Sequence, residues 1–218
     1  MKRIILVAVL LACLAVVPLI TTKEYILSLI ILICIYTVLS HSWNLLGGFT
    51  GQISLGHSTF FGIGALVFRY LWLKGIPPYL ALGAGSLSSL LLASVIGFPA
   101  FKLKGHYFSI GSLALSMIAV ITIQNIFPGV SFVSQEYLKN YSLVPIYYMA
   151  FIAAAITIGL VYRLTHSKLG VALVSIREDE DAAEAIGVNT FKYKVVSMSL
   201  STLIAGAGGS LFSFYVAS

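Results

Sequence analysis

Seven apolar stretches, most of them long enough to cross a lipid bilayer, divide this chain: Ile4–Ile20, Tyr25–Leu46, Ser58–Leu73, Tyr79–Phe101, Tyr107–Phe127, Leu143–Tyr162 and Val195–Ala217. A spanning helix needs roughly 20 mainly apolar residues. Within lipid each backbone N–H and C=O must be paired internally, which a single stretch achieves only as a helix. The expected fold is therefore all-α: one polytopic transmembrane bundle of about seven spans over residues 1–218. Composition agrees, because charged residues make up only 9% of the chain and mean hydropathy is +1.01. A soluble domain carries about a quarter charged residues, and so few charges cannot cover a water-facing surface. The third stretch is short, and the glycine-rich run before it is expected to lie partly at membrane depth.

Lysine and arginine placement orients such a bundle, since cytoplasmic loops collect them. With the N-terminus inside, the inner segments hold Lys2, Arg3, Lys102, Lys104, Arg163, Lys168, Arg177, Lys192 and Lys194, and the outer ones Lys23, Arg69, Lys74 and Lys139. The bias predicts a cytoplasmic N-terminus and an outer C-terminus. The net charge of +6 thus reports topology; nucleic acid is not an expected partner, because no basic patch sits on a soluble domain. Lys2-Arg3 before an apolar run resembles a signal peptide, and Leu10-Leu11-Ala12-Cys13 a lipoprotein cleavage site. The first run is too long for the former and the stretch before Cys13 too short for the latter, so a retained helix is expected. Cys13 and Cys34 lie in apolar runs and read as small core hydrophobes, with no disulfide framework or metal spacing.

Small residues recur at helical spacing. Ala81, Gly85, Ser89, Ala93 and Gly97 form a ridge along one face of the fourth span. Ser54, Ser58 and Gly62 lead into the third, and Ala205 with Gly209 and Gly206 with Ser210 mark the last. Such ladders let membrane helices approach closely.

Two polar segments interrupt the pattern. Ser42 to His57 holds four glycines, Gly47, Gly48, Gly51 and Gly56, together with Asn44, Gln52, Ser54 and His57. Irregular backbone at membrane depth is tolerated where it is buried in protein or lines a watery cavity, and transporters bind ligands at such broken helices. A tight cytoplasmic turn is the competing reading, and spacing leaves both open. His57 reads as a neutral hydrogen-bonding residue in preference to a proton relay, since no carboxylate lies near it in sequence.

The second segment, about 163–194, contains Arg177, Glu178, Asp179, Glu180, Asp181 and Glu184, so five of the seven acids fall within seven residues. A helix from Val171 to Ile186, stopped by Gly187, would put Leu173, Ile176, Ala183 and Ile186 on one face and the acids on the others. A solvated loop and a partner-docking helix are both compatible with this pattern. Ala182, Ala183 and Ala185 would permit close approach, and the surrounding charges would add register.

The run Asn44-Leu45-Leu46-Gly47-Gly48, Gly51-Gln52, Ser54-Leu55-Gly56-His57, Phe60, Gly62 and Gly64-Ala65 closely resembles the signature of branched-chain amino acid ABC transporter permeases of the LivM type. Gly105-His106-Tyr107-Phe108 with Leu113-Ala114 is similar to that family's Gly-x-Tyr-Phe segment. Ser167-Lys168-Leu169-Gly170 through Ile176–Glu180, Ala182–Asn189 and Tyr193-Lys194 resembles its cytoplasmic coupling loop. The resemblance covers roughly residues 38–217.

Membership would imply one transmembrane subunit of an ATP-driven importer in a bacterial or archaeal plasma membrane. Its partners would be cytoplasmic ATP-binding subunits, a second permease and an extracytoplasmic substrate-binding protein. Leucine, isoleucine and valine are the usual substrates, with urea or short amides in related permeases. Asn44, Gly47, Gly48, Gly51, Gln52, Ser54, Gly56 and His57 would then form or gate the translocation path. Arg177, Glu178, Asp179, Asp181, Ala182, Ala183, Glu184 and Gly187 would couple to the ATPase. Asp181-Ala182-Ala183 followed by Gly187 is similar to the importer motif Glu-Ala-Ala-x-x-x-Gly, with Asp in place of Glu.

The chain departs from the family pattern in three places. Val171 stands where Arg is common, the downstream isoleucine and proline are not at the usual spacing, and family members usually continue beyond the position of Ser218. An inactive truncated fragment is thus one alternative. An ion-coupled secondary transporter is another, although no acid lies deep in an expected span. No phosphate loop of the Gly-x-x-x-x-Gly-Lys-Ser/Thr type is present, and His41, His57, His106 and His166 are scattered. The expectation is therefore a transport subunit with no enzyme activity, no cofactor and no metal site.

Overall fold

The computed structural model describes residues 14–21, 23–100, 106–126 and 142–216. Most of the first expected span, Cys13, Gly97's packing, Lys102, Lys104, Gly105, Glu136 and Lys139 lie outside what it describes. Among the described residues there is no strand. After a helical run over 14–20 the elements are α1 (Glu24–Asn44), a π-helical turn (Leu45–Phe49), α2 (His57–Trp72), α3 (Pro78–Ala100), α4 (His106–Ile126), α5 (Leu143–Thr165), α6 (Lys168–Glu178), α7 (Glu180–Ala185) and α8 (Thr190–Val216). Among the described residues, four helical stretches are long and apolar enough to cross a membrane: Glu24–Phe49, Pro78–Val95, Leu143–Thr165 and Thr190–Val216. The α2 helix has only 16 residues, in keeping with the short third stretch.

The helices start and stop for local reasons. Pro78 opens α3, where its missing N–H is no loss. Gly75, at φ 82°, turns the chain after α2. Ser142 caps α5 by accepting from the Val144 N–H.

The innermost helix is α8, with 61% of its apolar window buried against 28–33% in the other three. It packs on α1, α2, α3 and α5. Leu27, Ile31, Ile35 and Val38 give α1 a stripe at spacings of three and four that meets Ile146, Tyr147, Ala150 and Ala154 of α5 and Ile204, Leu211 and Phe214 of α8. A second cluster joins Leu46, Phe60, Ala93, Phe108, Met198 and Ala205. The opposite faces expose Tyr25, Leu29, Ile33, Leu87, Leu91, Ile152 and Ile156, large apolar groups suited to a lipid solvent.

The α3 ladder behaves as expected: Ala81, Gly85, Ser89 and Ala93 are buried. The α2 ladder needs correction. Ser58 and Gly62 are exposed, and nothing lies within 4 Å of where a Gly62 Cβ would stand. The buried face of α2 instead runs through Phe60, Gly64 and Phe68.

The charged segment departs from the expected single helix. Asp179 is extended (φ −157°, ψ 111°), separating α6 from α7, and its Oδ1 accepts from the Ala182 N–H as an N-cap. This break resets the helical phase. Leu173, Ile176 and Ala183 remain buried, but Ile186 is 79% exposed. Gly187 does end the segment, at φ 91°, with its N–H bonded to the Glu184 carbonyl.

Candidate functional site

The Asn44–His57 stretch is a broken helix inside the bundle. The chain widens into a π turn over Leu45–Phe49, turns left-handed at Gly51 (φ 73°), and re-enters helix at His57. Gly51 is required by that φ, which side-chain-bearing residues rarely adopt. Gly56 is required by proximity, since a Cβ there would sit 2.2 Å from the Ser112 carbonyl oxygen of α4.

Freed backbone groups must be paired elsewhere, and hydroxyl side chains do much of this. The Leu45 carbonyl lies 3.1 Å from Thr50 Oγ1 and 2.9 Å from Ser197 Oγ, and the two hydroxyls are 2.9 Å apart. The Gln52 N–H donates to the Leu46 carbonyl. Two α4 hydroxyls hold the extended part: Ser109 Oγ donates to the Ile53 carbonyl and Ser112 Oγ accepts from the Leu55 N–H. Trp43 Nε1 donates to the Ser54 carbonyl.

Ser42 and Ser201 exchange bonds, each hydroxyl donating to the other's carbonyl at 2.7 and 2.5 Å. The single Ser42 hydroxyl proton is thereby used. The 2.7 Å contact between Ser42 Oγ and His57 Nε2 must then have Nε2–H donating. In the neutral ring Nδ1 is left as an acceptor, without a partner among the described residues. His57 is 5% exposed and hydrogen-bonds to no carboxylate there. Ser42→Ala removes the acceptor of a buried N–H and should lower stability by about 1–2 kcal/mol. Unfolding midpoints in mixed micelles measure this, and an unshifted midpoint would show that the bonds contribute nothing.

The expected path residues are thus gathered, but most face the bundle. Gln52, Ser54, Gly56 and His57 are buried, Asn44, Gly47 and Gly48 are half-buried, and Gly51 is exposed. Of these, Ser54 and His57 border a groove of about 500 Å³ shared with Leu39, Ser40, Trp43, Leu55, Ser58 and Phe61. Next to it, around Ser40, lies a second groove of about 420 Å³ lined by Ile33, Tyr36, Thr37 and His41.

The coupling candidates divide in the same way. Asp179, Asp181, Ala182, Glu184 and Gly187 are exposed, with Ile186 and Val171 beside them as exposed apolar groups. Ala183, expected to meet a partner, is 2% exposed and packs inward. Glu184 is tied back to the chain by Thr190 Oγ1 at 2.5 Å. Arg177 bonds Glu178 through Nε and Nη2, and its Nη1 donates to the Gly48 carbonyl at 3.1 Å. The two polar segments, 129 residues apart in this contact, therefore meet.

Sequence reasoning did not single out Ser197, Ser201 or Lys194. The first two are a one-turn pair on α8, a signal indistinguishable from the small-residue ladders. Lys194 was read as a topological charge and as part of the coupling-loop resemblance, with no partner assigned to it, whereas its Nζ lies 2.5 Å from Glu180 Oε1. Among the described residues no three His, Cys, Asp or Glu side chains are grouped as metal ligands.

A family model described as the branched-chain amino acid transport system / permease component matches residues 25–218. The high-affinity branched-chain amino acid transport system permease protein LivM of Salmonella typhimurium is 26% identical over 212 residues, covering 82% of this chain and 50% of the relative. The protein of that name from Escherichia coli is 25% identical with the same coverage. A probable LivM from Methanocaldococcus jannaschii is 29% identical over 151 residues, covering 58% of this chain and 41% of the relative. The chain thus spans about half the length of the curated relatives it matches. No solved structure matches it.

Proposed function

The chain belongs to the branched-chain amino acid transport permease family, and from that membership we propose that it acts as one membrane subunit of an ATP-driven importer. Branched-chain amino acids or related small polar molecules are its cargo, and the plasma membrane of a bacterium or archaeon is its site. It crosses the bilayer about seven times with the N-terminus inside, a topology supported by the lysine and arginine bias. A second permease completes the bundle, ATP-binding subunits dock below it, and a substrate-binding protein delivers cargo from outside.

The observation that carries this reading is the outward ledge of the charged segment. Ala182, Ala185 and Ile186 present a small apolar patch, flanked by Asp179, Asp181 and Glu178, all exposed. Apolar surface of this kind ringed by charge suits a specific protein partner, and the family membership points to an ATPase. The groove beside Ser54 and His57 forms one wall of the path. It offers hydroxyls from Ser40, Ser54 and Ser58 against the apolar faces of Leu39, Trp43 and Phe61.

Affinity purification from detergent extracts should recover an ATPase and a second permease with the chain. Recovering the chain alone, where a full-length relative keeps both, would overturn the reading. Ile186→Glu tests the ledge: the ATPase should be lost while the second permease and the unfolding midpoint are retained. Ala183 is unsuited to this test, since enlarging a buried alanine disturbs the segment's own packing.

A further inference from the structure

The charged segment is fastened to the bundle in part by an ion pair whose lysine water barely reaches. The Lys194 side chain is 3% exposed and its partner Glu180 is 23% exposed. An ammonium so enclosed requires a counter-charge, because an unpaired buried charge is strongly unfavourable. Glu180 lies on α7 and Lys194 on the second turn of α8. Glu184, one turn after Glu180, accepts from Thr190 Oγ1, one turn before Lys194. Two consecutive turns of α7 thus grip two consecutive turns of α8.

The same face of α8 continues inward. Ser197 contacts the Leu45 carbonyl and Thr50 of the π turn. Ser201, one turn deeper, exchanges hydrogen bonds with Ser42, which accepts from His57. Thr190, Lys194, Ser197 and Ser201 are spaced by four, three and four, so they form one row along the helix. From the other side Arg177, at the end of α6, holds the Gly48 carbonyl. The broken segment is therefore attached to the coupling segment twice, once directly and once along α8.

We propose that Lys194, paired with Glu180, is a positioning residue that fixes the conformation of the glycine segment through the Ser197–Ser201 row of α8. The proposal rests on the importer reading for what moves the coupling segment, and on the geometry alone for the linkage. Displacement of α7 pulls on the row and so on Leu45, Thr50 and Ser42. Removing Glu180 is the harsher change, because the enclosed ammonium stays behind unpaired, whereas Glu180 left alone can still hydrate.

The test is hydrogen exchange of the full chain in lipid nanodiscs, for wild type, Lys194→Met, Glu180→Ala and the charge-exchanged double variant Glu180→Lys/Lys194→Glu. Residues 45–52 should exchange several-fold faster in both single variants, more so in Glu180→Ala. The double variant should restore protection, and α5 should stay unchanged throughout. Unchanged exchange over 45–52 would overturn the linkage. So would a rise spread equally over α5, or a double variant no better than the singles, since either marks a general loss of stability. No partner protein enters this measurement, so its failure counts against the linkage and leaves the importer reading to the Ile186→Glu test.

Discussion

Gly209→Val should prevent the bundle from closing. A Cβ on Gly209 would stand 1.9 Å from the Phe61 carbonyl oxygen, 2.7 Å from its carbon and 3.1 Å from the Ala65 nitrogen. All three are backbone atoms of α2, so no rotamer change relieves the overlap. The neighbouring contacts are equally tight. A Cβ on Gly64 would meet the Gly206 carbonyl oxygen at 2.3 Å, and one on Gly85 would meet Ser210 Oγ at 2.2 Å. Three helices converge here. Ser210 Oγ donates toward the Gly64 carbonyl, and Ser89 Oγ donates to the Phe60 carbonyl at 2.6 Å. In lipid this junction depends on close contact and hydrogen bonding, because apolar burial gives little net drive between helices. Overpacking a core costs about 1–3 kcal/mol and occasionally more. A clash of the new Cβ with fixed backbone atoms should reach or exceed the upper figure. Gly62→Val is the matched control, since its Cβ would meet nothing within 4 Å. Unfolding in mixed micelles should show a large loss at 209 and little change at 62. Equal losses would mean that the glycine junction does not hold the bundle.

Legibility in the sequence followed the range of the interaction. Apolar stretches such as Leu143–Thr165 announce themselves because the bilayer fixes the length of a span. The α3 ladder was readable for a similar reason, since Ala81, Gly85, Ser89 and Ala93 share a face in any unbroken helix. The same rule failed for Ser58 and Gly62. Gly62 and Gly64 stand two residues apart, nearly opposite on α2, and only the partner helix decides which one is used. Phase was lost again at Asp179, where one extended residue rotated Ile186 away from Leu173 and Ile176 and into solvent. The glycine segment and the charged segment were each visible as composition. Their meeting through Arg177 and Gly48 was not, because a side chain reaching a distant carbonyl leaves no local pattern.

Gly51→Val should separate the effect of backbone strain from that of the Arg177 contact. At φ 73° a β-branched residue pays roughly 1–2 kcal/mol for the left-handed backbone alone. Here the new Cβ would also lie 2.8 Å from Arg177 Cγ and 3.4 Å from its Cα, so Arg177 would have to leave the Gly48 carbonyl. Gly75 supplies the comparison, with φ 82° but nothing within 4 Å of its Cβ position. Gly75→Val should therefore lose stability by the backbone amount and, on the proposed importer reading, keep uptake per folded molecule. Gly51→Val should lose more stability and, on the importer reading proposed above, also lose uptake of a labelled branched-chain amino acid in proteoliposomes holding the chain with its proposed partners. A stability difference of about 1.4 kcal/mol between the two would correspond to a tenfold change in the folding equilibrium, within reach of a micelle titration. If the two variants match in both stability and uptake, the Arg177 contact between the charged segment and the glycine turn carries no load. If only uptake separates them, Arg177 matters in a conformation other than this one, as an attachment that moves in the proposed transport cycle would require.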